Sequence, residues 1–178
     1  MQNIESETYI TNKTMLLDFF YNGVKKKTDF KIGIEFEKLG VLKKNFQAVP
    51  YFGSGGIKDF LCRFKKYRNW ASVLESDNII GLDNGYDHIT LEPGSQIEFS
   101  SYPEISIHEI SAKLNKYNHI TSKIAEELGF YWIGYGIQPI SIFDDINITP
   151  KGRYKIMTEY LPDKASIPFV MMRSEERR

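Results

Sequence analysis

The chain has 178 residues, about one domain's worth, and 42% are hydrophobic, including 12 Phe and 11 Tyr, so overall disorder is excluded. Its 23 basic and 23 acidic residues cancel, which removes the cation surplus that non-specific nucleic-acid binding needs. One cysteine cannot form an intramolecular disulfide, no apolar run approaches the roughly 20 residues of a membrane span, and residues 1–8 lack a signal-peptide pattern; the expectation is a soluble, reduced, cytoplasmic protein with no nucleic-acid or membrane partner.

The first element is predicted as a helix in which Met15, Leu16, Phe19 and Phe20 share a face, capped by Thr11 or Asn12 and stopped at Gly23. A polar connection, residues 25–28, leads to a strand over residues 30–42. There Phe30, Ile32, Ile34 and Phe36 alternate with Lys31, Gly33, Glu35 and Glu37. A loop through Pro50 and Gly53-Ser54-Gly55-Gly56 precedes a short helix with Ile57, Phe60, Leu61 and Phe64 at helical spacing. Residues 72–76, 79–83, 87–92 and 96–101 read as short successive strands. The longest helix is expected over residues 107–128, with the stripe Ile107, Ile110, Leu114, Tyr117, Thr121, Ile124 and Leu128, and Gly129 as its stop. An aromatic-rich strand over residues 130–138 and a last helix over residues 150–161 complete the order. Strands gathered in the middle with helices around them predict an α+β fold on a mostly antiparallel sheet.

Glu35 and Glu37, two apart on a strand, point the same way about 6.5–7 Å apart along it. Glutamate is disfavoured in strands, and hard cations such as Mg²⁺ are held by one or two carboxylates plus substrate phosphates. Gly33 on the same face would let a ligand approach the backbone. The competing reading is a half-solvated strand whose polar residues face water.

The segment from His88 to Ser100 sharpens this. A two-residue Pro93-Gly94 turn would pair Leu91 with Gln96 and Ile89 with Glu98, mixing apolar and charged groups. A three-residue Pro93-Gly94-Ser95 loop pairs Leu91 with Ile97, Ile89 with Phe99, Thr90 with Glu98 and Glu92 with Gln96. Register follows the hydrophobic pattern, so the second arrangement is expected. Its polar face carries Glu92, Gln96 and Glu98, and if that face continues into Glu35 and Glu37, up to four carboxylates converge. Such a group is favourable only with divalent cations among them.

Thr149-Pro150-Lys151-Gly152-Arg153-Tyr154 reads as a helix start, with Thr149 as N-cap and Pro150 first in the helix. Lys151 and Arg153 oppose the macrodipole there unless an anion docks, and phosphate or a substrate carboxylate is the natural one. Side chains merely extending into solvent are the alternative. Lys25 to Lys27, Lys43-Lys44 and Lys65-Lys66 read as solvated surface, Cys62 as a small core or boundary residue, and His88, His108 and His119 show no metal-ligand spacing.

Ile32-Gly33-Ile34-Glu35-Phe36-Glu37-Lys38 resembles the opening motif of glutamate–cysteine ligases of the plant and proteobacterial type. Ile89 to Ser100 resembles their SLEPGGQFELS segment, with Ser95 in place of the second glycine. Gly136-Ile137-Gln138-Pro139 and Pro150 to Met157 match two further blocks in the same order, so the resemblance covers roughly residues 11–162. It implies a glutamine-synthetase-like (carboxylate–amine ligase) fold whose sheet curves into a cup. The implied reaction is ATP-dependent ligation of the glutamate γ-carboxylate to cysteine through γ-glutamyl phosphate, the first step of glutathione biosynthesis.

Carried over by motif, Glu35, Glu37 and Glu98, with Glu92 as a fourth, would bind Mg²⁺. Gln96, Gln138 and Tyr154 would bind substrate, and Arg153 with Lys151 would face its carboxylate or phosphate. Family members are longer, so residues 1–162 are expected to be the N-terminal part of a catalytic domain, followed by a divergent charged tail, residues 163–178. A truncated non-catalytic fragment, or a split subunit that binds Mg²⁺, glutamate, a complementary C-terminal chain or a second copy, is the alternative. A nucleic-acid module built on the lysine clusters is a third reading, with salt-sensitive DNA or RNA binding as its mark.

Overall fold

The computed structural model describes residues 9–67 and 69–164. It divides into two units, Met1–Lys31 and Ile32–Arg178. In the first, helix α1 (Lys13–Asn22) is capped by Asn12, whose side chain accepts from the Met15 N–H, and ends at Gly23 as expected. None of its residues is buried: Phe19 and Phe20 stand out from the chain with their rings 5.6 Å apart.

Among the described residues the second unit is built on a curved, unclosed sheet of six antiparallel strands: β1 (Glu35–Leu42), β2 (Ala71–Glu75), β3 (Asn78–Asp83), β4 (His88–Leu91), β5 (Ile97–Ser100) and β6 (Phe130–Ile133). Their order across the sheet is β2-β3-β4-β5-β1-β6. The α+β expectation holds, with helices α2 (Ile57–Phe64), α3 (Ile107–Leu128) and α4 (Gly152–Tyr160) flanking the sheet. Ile89, Leu91, Ile97 and Phe99 alternate onto one face and bury themselves with Ile57, Phe60, Leu61 and Phe64 of α2 and Tyr117, Ile124 and Ala125 of α3. Phe99 stacks on Tyr117 with ring centres 4.4 Å apart.

Helix α3 has the expected limits because both ends are chemically marked. Ser106 and Glu109 form a reciprocal capping box, and Gly129 takes the left-handed conformation (φ 84°) that a side chain would strain. Ile107, however, is exposed and leaves the predicted stripe, which begins at Ile110.

Two expected strands are shortened by their partners. β1 starts at Glu35 rather than residue 30, because β5 ends at Ser100 and Pro103, lacking an N–H, interrupts the ladder; Ile32 keeps only an isolated bridge to Glu104. β6 stops at Ile133 rather than residue 138, where its pairing with Leu39 of β1 ends. Among the described residues no helix is long and apolar enough to cross a membrane. Of the expected tail, residues 165–178 lie outside the described residues.

Candidate active site on the polar face of the sheet

The three-residue hairpin is present in the expected register: Leu91 pairs with Ile97, Thr90 with Glu98 and Ile89 with Phe99, and the Glu92 N–H donates to the Gln96 carbonyl at 2.8 Å. Gly94 and Ser95 both take positive φ (69° and 61°) to make the turn. On the other side of β5, Glu37 pairs directly with Glu98 and Glu35 with Ser100. Because side chains alternate across a strand, Glu35, Glu37, Thr90, Glu98 and Ser100 share the face opposite Phe99 and Ile97. Cβ atoms directly opposite across two strands are about 4.5–5.5 Å apart, and like charges so placed repel. Glu98 accepts from Ser100 Oγ at 2.8 Å and from Thr90 Oγ1 at 3.4 Å, which orient its carboxylate.

The expected gathering of four carboxylates is corrected. Among the described residues no three His, Cys, Asp or Glu side chains converge as a metal-holding group. Glu92 is engaged elsewhere: it lies 3.4 Å from Arg153 Nη2 and 3.9 Å from Lys151 Nζ, and accepts from the Tyr154 hydroxyl at 3.2 Å. What remains on the sheet is the Glu37–Glu98 pair with Glu35 one step along β1. Facing carboxylates are hard oxygen donors, the set that Mg²⁺ takes, so these residues fit such an ion. Gly33 does not open the backbone to a ligand: a side chain there would meet the Ser101 carbonyl at 3.3 Å and the Pro103 ring at 3.6 Å, so the chain itself fills that space.

The cationic segment also differs from expectation. Helix α4 begins at Gly152, with Lys151 rather than Thr149 at its N-cap and no capping side chain from its own element. Thr149 is buried and stitches the hairpin loop instead, accepting from the Ser95 N–H at 2.8 Å and donating to the Glu92 carbonyl at 2.7 Å. The helix start is capped by Glu75 of β2, whose Oε1 accepts the Gly152 N–H. Two carboxylates from other elements, Glu75 and Glu92, therefore lie beside the cations that the sequence alone left unneutralised.

Lys151 also donates to the Leu91 carbonyl, and burial lowers its pKa against the pull of Glu92. Arg153 donates to the Tyr154 hydroxyl at 2.9 Å, which raises its pKa, while burial pushes Tyr154 up to about 12. Tyr154, expected to touch substrate, is 3% exposed and orients Arg153 and Glu92 from beneath. Arg153 keeps 58% of its side-chain surface open.

Gln96 and Gln138 are buried, yet among the described residues Gln96 Oε1 and Gln138 Nε2 have no hydrogen-bond partner, while their other polar atoms bond Pro93 O and Ile140 N. A buried polar atom without a partner costs about 1–3 kcal/mol, so the pair offers an acceptor and a donor to water or a ligand.

Sequence reasoning assigned no role to two of these charged residues. Lys38 follows Phe36 on the apolar face of β1, 5% exposed, donating to Asn118 Oδ1 at 3.0 Å and Thr121 Oγ1 at 2.7 Å of α3, with the Tyr117 ring centre 4.5 Å away. Burial lowers its pKa to about 7. Continuing the period-two alternation two residues past Phe36 would have placed it there. Glu75 carried no local signal, because its partner is 77 residues away in sequence.

The sequence profile described as glutamate-cysteine ligase family 2 matches residues 31–174, running past Pro162, where the resemblance was expected to fade. Similar curated proteins include glutamate–cysteine ligase B, chloroplastic, of Oryza sativa subsp. japonica, 35% identical over 160 residues that cover 90% of this chain and 32% of that protein. The chloroplastic glutamate–cysteine ligase of Medicago truncatula is 37% identical over 90% of this chain and 31% of its own length. That of Nicotiana tabacum is 36% identical over 90% and 30% respectively. The chain thus spans about a third of the length of these relatives. All three are named chloroplastic, which overturns the cytoplasmic expectation.

Proposed function

We propose that this chain, which belongs to glutamate–cysteine ligase family 2, carries the cation- and substrate-binding face of an enzyme that joins glutamate to cysteine in the first step of glutathione biosynthesis. The single observation that carries the reading is the Glu37–Glu98 register, which sets two carboxylates face to face on the polar side of the sheet.

In the proposed reaction the γ-phosphoryl group of ATP passes to the side-chain carboxylate of glutamate, giving γ-glutamyl phosphate and ADP. The cysteine amine then attacks the acyl carbon, the C–N bond forms, phosphate leaves and the amine loses a proton. Mg²⁺ held by the Glu37 and Glu98 carboxylates, with Glu35 one step along β1, would neutralise charge developing on the phosphate oxygens. Arg153, held by Tyr154 and Glu92, presents its open guanidinium edge to a substrate carboxylate or phosphate. Lys151 neutralises Glu92 and secures the end of β4 through the Leu91 carbonyl. Gln96 Oε1 and Gln138 Nε2, without a partner among the described residues, supply an acceptor and a donor for the amino-acid substrate.

Because the chain spans about a third of its relatives, we further propose that turnover needs a complementary C-terminal chain or a second copy. Among the described residues the sheet is open at β2 and β6, and a partner strand pairs readily with such an edge. The alternative is a binding subunit that holds Mg²⁺ and glutamate without turnover. A coupled assay for ADP release dependent on glutamate, cysteine and Mg²⁺, run with the chain alone and with the relatives' remaining segment added, tests both. Release restored by the added segment supports the ligase. Absence of release in both, with glutamate and Mg²⁺ heats still measurable by calorimetry, supports the binding subunit.

A further inference from the structure

The face of the sheet opposite the carboxylates holds a separate hollow of about 300 Å³, walled by Phe64, Trp70, Phe99 and Tyr117. Phe99 is the neighbour of Glu98 on β5 and points the other way, so nothing bound here touches the carboxylate face. A mostly apolar hollow of this size with a few polar groups at its edge is the usual form of a small-molecule site.

The polar groups at the edge specify what fits. Asp87 Oδ1 already accepts from the Tyr102 N–H at 2.8 Å and from Lys113 at 3.4 Å. Asn84 Oδ1 accepts from the N–H groups of Tyr86 and Asp87 at 2.9 and 2.8 Å, which leaves only its amide donors. Lys116 is exposed and forms no ion pair or hydrogen bond among the described residues. Tyr117 is 4% exposed and its hydroxyl has no hydrogen-bond partner among the described residues. The groups left unused on Asn84 and Lys116 are donors, an amide and an ammonium, while the Asp87 carboxylate is held by Lys113 and the Tyr117 hydroxyl can donate or accept. A free phosphate would leave the well empty, and an ammonium compound would meet Lys116 and the donors of Asn84, with the Asp87 carboxylate already paired to Lys113.

We propose that this hollow binds a small amphipathic carboxylate, its flat apolar body against Phe64, Trp70, Phe99 and Tyr117 and its carboxylate at Lys116 and Asn84. The site is distinct from the ligase face, and its test involves no turnover. The probe is 3-phenylpropionate, titrated calorimetrically and followed by the indole N–H resonances of Trp70, which lines the hollow, and Trp132, which does not.

Binding that shifts Trp70 and leaves Trp132 in place is expected. 3-Phenylpropionamide, which lacks the charge, should bind about tenfold more weakly, and Lys116→Ala, an exposed substitution that leaves the fold intact, should cost the carboxylate the same factor. Ala112→Trp, which adds bulk at the edge of the hollow, should abolish the Trp70 shift. No shift at Trp70, equal binding of acid and amide, or indifference to Lys116→Ala would overturn the proposal.

Discussion

Glu37 of β1 stands directly opposite Glu98 of β5, in a register set by Phe36 against Phe99 and Lys38 against Ile97 on the other face. The apolar residues that bury the sheet therefore force two like charges together on the polar side. Replacing one of them, Glu37→Gln, should relieve the repulsion and raise stability in the absence of divalent cation by a few tenths to about 1 kcal/mol. The same change should remove most of the stabilisation that MgCl₂ gives the unaltered chain. Thermal unfolding of both proteins with and without Mg²⁺ checks the two signs together.

Lys38 provides a pH signature. Burial lowers its pKa from 10.5 to about 7, with the Tyr117 face working in the opposite sense. In the folded state the amine has lost its proton above about pH 7, while the unfolded chain holds one up to about 10.5. The unfolded state thus binds more protons in that window, so this group makes stability rise with pH there, by at most roughly 1.4 kcal/mol per pH unit. Urea unfolding at pH 7, 8 and 9 should show the rise, and Lys38→Met should flatten it. A wild-type slope no steeper than that of Lys38→Met contradicts the assignment.

Thr149 joins two chain segments through one hydroxyl, which accepts from the Ser95 N–H and donates to the Glu92 C=O, two groups that also bond each other at 3.1 Å. Thr149→Val keeps the shape and removes two hydrogen bonds, leaving the Ser95 N–H and Glu92 C=O with only their mutual bond, at a cost of about 1 kcal/mol for each bond lost. Thr149→Ser keeps the hydroxyl and should recover most of that loss. Denaturant midpoints of the three proteins decide.

Glu75 and Gly152 are coupled across the domain. A side chain at position 152 would press on Glu75 Oε1, the flexible end of a glutamate that can swing away. Gly152→Ala should therefore cost only about 1 kcal/mol, mainly the lost helix cap. In Glu75→Ala the cap is already gone, so adding Gly152→Ala should cost less than in the wild type. A double-mutant cycle by urea unfolding measures the coupling, and strict additivity would rule the contact out.

What could be read from the amino-acid order follows the range of the forces involved. The hairpin register was legible because period-two burial of Ile89, Leu91, Ile97 and Phe99 allows only one loop length. Helix α3 was legible because Ser106, Glu109 and Gly129 mark its ends locally. The start of β1 was not, since it depends on where β5 ends and Pro103 intervenes. The cations of Lys151 and Arg153 looked uncompensated because their counter-charges arrive from β2 and the end of β4. Thr149 looked like a helix cap on local grounds, and a tertiary demand from the buried hairpin loop took its hydroxyl instead. The site residues were thus visible as types, while their partners required the fold.

The central claim is that divalent cations bind the polar face of the sheet beside Glu37 and Glu98. Titrating the ¹⁵N-labelled chain with Mn²⁺, a paramagnetic substitute for Mg²⁺, and recording which amide resonances broaden first tests it most directly. The account expects early loss of the Glu37, Glu98 and Ser100 signals, competed away by excess Mg²⁺, with the α3 amides of Lys113 and Lys116 unaffected. Broadening that spares Glu37 and Glu98 while striking other acidic segments would contradict it.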